Sequence, residues 1–279
     1  HMFFGIQSFA PHVQAAIGRF QPLELIRASV QALRANGIEQ VNFDLMFGLP
    51  EQSLADMDDT LTEAIMLAPS RISLFGYAHL PDVLPRQRRI DARNLPDHAL
   101  RFEQAQRGYE RLTEAGYVPV GFDHFALPED PLAKAAALGQ VRRNFQGVTD
   151  EQAEVLIGMG ASAISQFPGL IVQNEKRSGV YRDQMGAGQS GVVRGVALDE
   201  DEQRRAGIIS DILCQSEAVI GARYAGHARE VLAPYEAKGL ISWAGDRLIV
   251  APHALPYRRL IASEFDRKRG AITGQYAFA

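Results

Sequence analysis

Three apolar stretches of strand length, 3–9, 41–45 and 71–77, alternate with segments of helical periodicity, and that alternation leaves few folds open. Segment 22–36 places Leu23, Ile26, Val30 and Leu33 on one face and ends at Gly37. Segment 53–67 opens with Ser53, and Asp56 stands three residues on, the spacing of a capping box. Strand, helix, strand, helix, strand at this spacing predicts right-handed βαβ units in a parallel sheet. A helix over 97–115 and a strand over 118–122 continue the series. Asp44 interrupts the apolar run Val41-Asn42-Phe43-Asp44-Leu45-Met46-Phe47-Gly48-Leu49-Pro50. A carboxylate in a buried strand is costly unless something pairs with it or hydrogen-bonds to it. Asp44 either meets a polar partner in the core or points into a site and holds a ligand.

The remaining segments are less regular. A short helix is predicted over 13–18 and another over 133–138. Residues 81–93 form a loop with a basic cluster, Arg86, Arg88 and Arg89, and 141–147 reads as an irregular polar stretch. Segment 155–164 carries Gly158, Gly160, Ala161 and Ser162, as where backbone must approach something closely. Segment 181–192 is rich in Gly and Gln and is expected to be flexible. From Asp199 the texture changes to helices over 199–212 and 224–238, followed by a two-stranded hairpin over 239–243 and 247–250. This predicts a first domain over 3–198 and a small, mostly helical, winged-helix-like domain over 199–279.

Composition excludes several classes. The chain has 279 residues and a net charge of −4, without the basic excess of a general nucleic-acid surface. Cys214 is the single cysteine, so neither a disulfide framework nor a cysteine-ligated cluster can be built from this chain alone. No apolar run reaches a membrane span of about 18 residues. The opening does not read as a signal peptide, His1-Met2 reads as an expression remnant, and the natural start is expected elsewhere. No nucleophile triad, zinc spacing or phosphate-binding glycine loop is present.

Ligand sites in parallel α/β sheets lie at the carboxyl ends of the strands. Topology alone therefore nominates Gln7, the stretch from Asp44 to Pro50, Ala78, His79, Asp123 and His124, with Arg19 close enough to reach the same rim. Each has a plainer reading: the histidines as structural groups, the arginines as a solvated loop face. Arg86, Arg88 and Arg89, with Arg142 and Arg143, would suit a substrate bearing several carboxylates, because guanidinium pairs bidentately with carboxylate.

Several stretches carry a resemblance. Gly5-Ile6-Gln7-Ser8-Phe9, Asn42 to Pro50 and Phe75-Gly76-Tyr77-Ala78-His79-Leu80-Pro81 resemble the radical S-adenosylmethionine enzymes of haem biosynthesis. Gly121-Phe122-Asp123-His124-Phe125-Ala126, Arg143-Asn144-Phe145-Gln146-Gly147 and Gly158-Met159-Gly160-Ala161-Ser162-Ala163-Ile164-Ser165 narrow this to the oxygen-independent coproporphyrinogen III oxidases, and away from the related haem chaperones. The resemblance covers nearly the whole chain and weakens after about Gly221.

It implies an α/β fold made of the later strands of a partial (β/α) barrel, in a cytoplasmic enzyme of haem biosynthesis. A [4Fe–4S] cluster would reduce S-adenosylmethionine to a radical that abstracts hydrogen from a propionate of coproporphyrinogen III. Loss of carbon dioxide would leave a vinyl group, twice over, giving protoporphyrinogen IX. An electron donor and an electron acceptor are implied as partners. Gln7, Arg19, Asp44, Met46 and Ala78 would contact the adenosylmethionine at the cluster, and Ile164 a second one. Arg86, Arg88, Arg89, His124 and Arg143 are the substrate-binding candidates, and no catalytic residue is assigned. Met46 departs from the aliphatic residue expected there, and 270–279 from the expected tail.

The cluster motif Cys-x-x-x-Cys-x-x-Cys is not in this chain, which reads as starting at the fourth barrel strand. It is therefore expected to be inactive alone. A non-catalytic tetrapyrrole or haem carrier, with His79 and His124 as the groups to test, is the alternative of a different class. Segment 3–9 would be an unpaired apolar edge, which predicts self-association by strand pairing.

Overall fold

A computed structural model describes residues 2–145 and 147–267. Gln146 of the Asn-Phe-Gln-Gly motif and the divergent tail over 270–279 lie outside the described residues. The predicted βαβ series is present. Met2–Gln7 (β1) is followed by Pro11–Ala16 (α1) and Leu23–Ala35 (α2). Val41–Phe47 (β2), Leu54–Met66 (α3), Arg71–Gly76 (β3) and His98–Glu114 (α4) come next. β1, β2 and β3 pair in parallel. Ser53 and Asp56 form the capping box at the start of α3.

One face of this sheet makes the core. Ile6 of β1, Val41, Phe43 and Leu45 of β2, and Ile72 and Leu74 of β3 are buried against Ile26 and Val30 of α2, Met57, Leu61 and Ala64 of α3, and Leu112 of α4. Because side chains alternate along a strand, Asn42, Asp44, Met46, Ser73 and Phe75 project to the opposite face.

The parallel series stops earlier than predicted. The fourth strand ends at Val120, giving Val118–Val120 (β4), and His124–Ala126 (β5) inserts between β3 and β4, antiparallel to both. The cause is local: Gly121 has φ +63° and the chain reverses over 121–123. The result is an open sheet of order β1-β2-β3-β5-β4 rather than a closed barrel. Arg71 at the start of β3 donates from Nε to Asp130 Oδ1 at 2.8 Å, and Asp130 also caps Pro131–Ala137 (α5).

Beyond α5 the structure corrects two further expectations. The polar stretch 141–147 contributes to a hairpin, Arg142–Asn144 (β6) with Gly147–Thr149 (β7). Ile164–Phe167 (β8), Leu170–Asn174 (β9), Ser178–Gly186 (α6) and Val192–Ala197 (β10) follow, with the strands in a separate antiparallel sheet of order β10-β9-β8. Half of the segment expected to be flexible is thus helix α6. Tyr181 anchors it, its hydroxyl accepting from the Gly160 amide at 3.2 Å.

The C-terminal part is Glu200–Gln215 (α7), Glu217–Val219 (β11), Ala222–Ala237 (α8), Ile241–Ala244 (β12), Arg247–Val250 (β13) and Arg258–Ser263 (α9). The predicted hairpin has a third strand, giving the order β11-β13-β12. Its own core includes Ile212, Ile220, Leu232, Leu248 and Ile261. Buried Arg258 joins it to the first sheet, donating to Gly121 O at 2.5 Å and Leu213 O at 3.0 Å, and to Ser216 Oγ. Burial pushes that guanidinium down to about 10.

The small-residue stretch 155–164 does allow close approach. A Cβ on Gly158 would lie 2.4 Å from the Ile164 carbonyl oxygen. Gly158→Ala must therefore push backbone from backbone, at about 1–3 kcal/mol. Hydrogen exchange should accelerate at the Leu156 and Gln166 amides, which bond to one another's carbonyls at 2.9 and 2.8 Å. Unchanged protection of both amides would contradict this packing.

Candidate functional site

The face of the sheet turned away from the helices carries a polar row. Register places Gly5 beside Asp44, Asp44 beside Ser73, and Ser73 beside His124. With strands about 4.8 Å apart, the row runs for roughly 14 Å. Asn42 Nδ2 donates to Asp44 Oδ1 at 2.9 Å, and Ser73 Oγ lies 3.5 Å from Asn42 Oδ1. His124 closes the row. Its Nδ1 is 2.5 Å from Asp123 Oδ1, and the Phe75 ring meets it edge-on at 5.9 Å. Although β5 runs antiparallel to β3, its first residue therefore faces the same floor as Asp44.

At the carboxyl end of β1, Gln7 sits in the left-handed region at φ +69°. A Cβ on Gly5 would fall 2.8 Å from Gln7 Nε2 and 3.1 Å from Arg19 Nη2, so Gly5 leaves room for both side chains beside the row. Arg19 Nη2 donates to Gly5 O at 2.6 Å. Met46 lies on the same face as Asp44 and packs with Val13, Leu49 and Tyr77. The Met46 carbonyl accepts from Gln52 Nε2 at 2.9 Å. Ala78 follows β3, and its carbonyl accepts from Gln87 Nε2 at 2.9 Å.

Gln7, Arg19, Asp44, Met46 and Ala78 are thus brought to one rim, with His124 in the row they border. Ile164 stands on a different sheet, at the start of β8. Arg86, Arg88 and Arg89 occupy an exposed single-turn helix, Pro85–Arg89. Arg86 and Arg89 line an open cleft of about 610 Å³ with Ala15 to Gly18 at the end of α1. Arg143 stacks on Phe122 next to Asp123 and His124. His79 Nδ1 is 3.1 Å from the Tyr77 hydroxyl.

The site uses residues that sequence reasoning passed over. Gln104, buried in α4, accepts from Gly48 N at 2.9 Å and donates to Gln52 O at 2.8 Å. Arg101 Nη2 donates to Tyr77 O at 2.8 Å. These groups fix the turns after β2 and β3. The one available signal was Ser73, polar and in phase with Asp44 within an apolar strand.

The fit of the implied groups differs. The floor supplies a carboxylate, amides and a guanidinium, a donor and acceptor set that suits the ribose, ammonium and carboxylate of an adenosylmethionine. A [4Fe–4S] cluster does not fit this chain. Cys214 is its single cysteine, buried among Val120, Ala126 and Leu132, and burial pushes its thiol up.

Burial raises the Asp44 carboxyl above its ordinary 3.8, opposed by hydrogen bonds from Asn42 and Ser73 and by the charge of His124. The folded chain therefore holds this proton more tightly than the unfolded chain. The stability it brings is complete below the unfolded value and is lost as pH rises through the raised folded value. Asp44→Asn removes the ionised form's burial cost while keeping the shape. It should raise the thermal midpoint at about pH 7 and leave it unchanged at about pH 3. A lower midpoint at the higher pH would show that the carboxylate is stabilised by a partner instead.

No protein-family model matches the chain. It is similar to the oxygen-independent coproporphyrinogen III oxidase of Bradyrhizobium diazoefficiens, 44% identical over 271 residues, covering 94% of this chain and 60% of that relative. The enzyme of the same description from Thermostichus vulcanus is 36% identical over 94% of this chain and 84% of its own length. Among solved structures it matches coproporphyrinogen III oxidase (HemN) from Escherichia coli, described as a radical SAM enzyme, with a TM-score of 0.88 and 33% identity over 95% of this chain and 63% of that one. The chain spans about 60% of the length of the first relatives it matches. With both the sequence relatives and the fold in agreement, this chain belongs to the family of oxygen-independent coproporphyrinogen III oxidases.

Proposed function

We propose that this chain is the adenosylmethionine-binding and tetrapyrrole-binding portion of an enzyme that oxidatively decarboxylates coproporphyrinogen III to protoporphyrinogen IX in haem biosynthesis. The observation that carries this reading is the lateral row Gly5, Asp44, Ser73 and His124, with Gln7, Arg19 and Ala78 at its rim. S-adenosylmethionine, when bound with a reducing cluster, supplies the hydrogen-abstracting chemistry. The cluster ligands belong to residues that are not in this chain, which is therefore inactive alone. Coproporphyrinogen III is the substrate, and an electron donor and acceptor complete the reaction.

The chain's own residues bind and orient. Asp44 accepts from a ribose hydroxyl or an ammonium group, since the groups that hydrogen-bond to it, Asn42 and Ser73, are neutral. Gln7 and Arg19 close one end of the floor, and Ala78 offers main chain at the other. Arg86, Arg88 and Arg89 on their exposed turn, and Arg143 and His124 at the end of the polar row, meet substrate carboxylates. Ile164 contributes an apolar flank to a second adenosylmethionine. Domains divide at 198 and 199, before the helix that opens the second core. Among the described residues no helix is long and apolar enough to cross a membrane, and a cytoplasmic location fits the substrate.

Calorimetric titration with S-adenosylhomocysteine tests the reading. The chain should bind it, and Asp44→Ala should weaken binding about tenfold or more through loss of a charged hydrogen bond. No heat of binding at millimolar ligand, or unchanged affinity in the variant, would refute the assignment of the floor.

β1 lies at the edge of the sheet, with Phe3 64% exposed. An apolar edge presents unpaired backbone groups that recruit another strand. We propose that two copies of this 279-residue chain pair there. Sedimentation at micromolar concentration should show a dimer that Phe3→Lys dissociates; a wild-type monomer would contradict it.

A further inference from the structure

Two guanidinium groups converge on one ring. Arg143 of β6 stands 4.8 Å from the centre of Phe122, and Arg259 of α9 stands 5.3 Å from it. The next residues along the chain are the hydrogen-bonded pair Asp123 and His124, at the end of the polar row. Three segments far apart in sequence meet at this turn. The Cβ position of Gly147 lies 3.5 Å from His124 Cε1, that of Gly121 lies 3.0 Å from Val148 Cγ2, and Arg258 bonds Gly121 O.

At this turn the guanidinium groups of Arg143 and Arg259 stand near a single named carboxylate, Asp123. Arg143 Nη1 is buried and has no hydrogen-bond partner among the described residues. A buried donor left without an acceptor is costly and calls for one. Burial, and then the neighbouring charge of Arg143, hold the Arg259 guanidinium below its usual range. Asp123 is the carboxylate that opposes this, and it already meets His124. Two guanidinium groups over one aromatic ring bring their donors close together, and a carboxylate between them can pair with both.

We propose that Arg143 and Arg259, held on Phe122 beside the Asp123–His124 pair, form a carboxylate-binding subsite that takes one propionate of the tetrapyrrole. This rests on the oxidase reading for the ring, but not for the carboxylate. The subsite brings α9 of the C-terminal part into substrate binding. One carboxylate seated here would fix the macrocycle against the polar floor through Arg259, a residue from the far end of the chain.

The test is a fluorescence titration of the full chain with coproporphyrin III and with its tetramethyl ester. The acid should bind at least about tenfold more tightly than the ester. Arg143→Gln and Arg259→Gln should each weaken the acid about ten- to hundredfold and leave the ester unchanged. Arg182→Gln, an exposed change on α6, should alter neither. Acid and ester binding alike, or acid binding unchanged in both variants, overturns the subsite. If neither porphyrin binds, the tetrapyrrole reading fails, and sodium propionate decides the subsite alone. Arginine Nε–H signals that vanish in the two variants should shift with propionate and not with sodium chloride; absence of that shift overturns the proposal.

Discussion

The alternation of side chains along β2 is the constraint on which both core and site depend. Val41, Phe43 and Leu45 face the helices and are almost wholly buried, while Asn42, Asp44 and Met46 face the other way. A slip of one residue would drive Asp44 into the apolar core and expose Phe43. The apolar half of the strand therefore holds the register, and the register holds the carboxylate. The cost of desolvating Asp44 is offset only in part by hydrogen bonds from Asn42 and Ser73 and by the charge of His124, so the strand retains an acceptor that a ligand can use.

The rim is built on amides rather than charges. Gln52, Gln87 and Gln104 each bond backbone groups of the turns that follow β2 and β3, and Arg101 adds a fourth tie to Tyr77 O. Such ties hold main-chain groups in place before a ligand arrives, which lowers the entropy lost on binding. Gly48, at φ +78°, adopts a turn geometry that other residues enter only with strain.

How much of this was legible in the residues depended on distance along the chain. The helices over 22–36 and 53–67 and their caps were readable because periodicity and capping are local. Asp44 was readable because a charge in an apolar run is conspicuous. The antiparallel β5 was not, because a single left-handed glycine at 121 redirects a strand whose composition is unremarkable. The Gly- and Gln-rich segment became helix through the packing of Tyr181, a tertiary contact. Gln87 sat inside a basic run and drew no notice, and Arg259 is more than a hundred residues from Phe122, beyond any local pattern. The resemblance in the motifs nominated Gln7, Arg19, Asp44 and Ala78 together, and the strand registers place Gln7 and Ala78 at the carboxyl ends of strands that flank Asp44.

Relatives in this family extend well beyond the span matched here; under the proposed reading the chain's residues bind and orient the ligands. The central claim is that the sheet face opposite the helices is the ligand floor. A crystal structure of the chain with S-adenosylhomocysteine tests it most directly. The account predicts the ligand laid across β1 to β3, with a hydroxyl or ammonium group on Asp44 and contacts to Gln7 and Ala78. Ligand density elsewhere, with the Asn42–Asp44 hydrogen bond undisturbed and the floor filled by solvent, would contradict it.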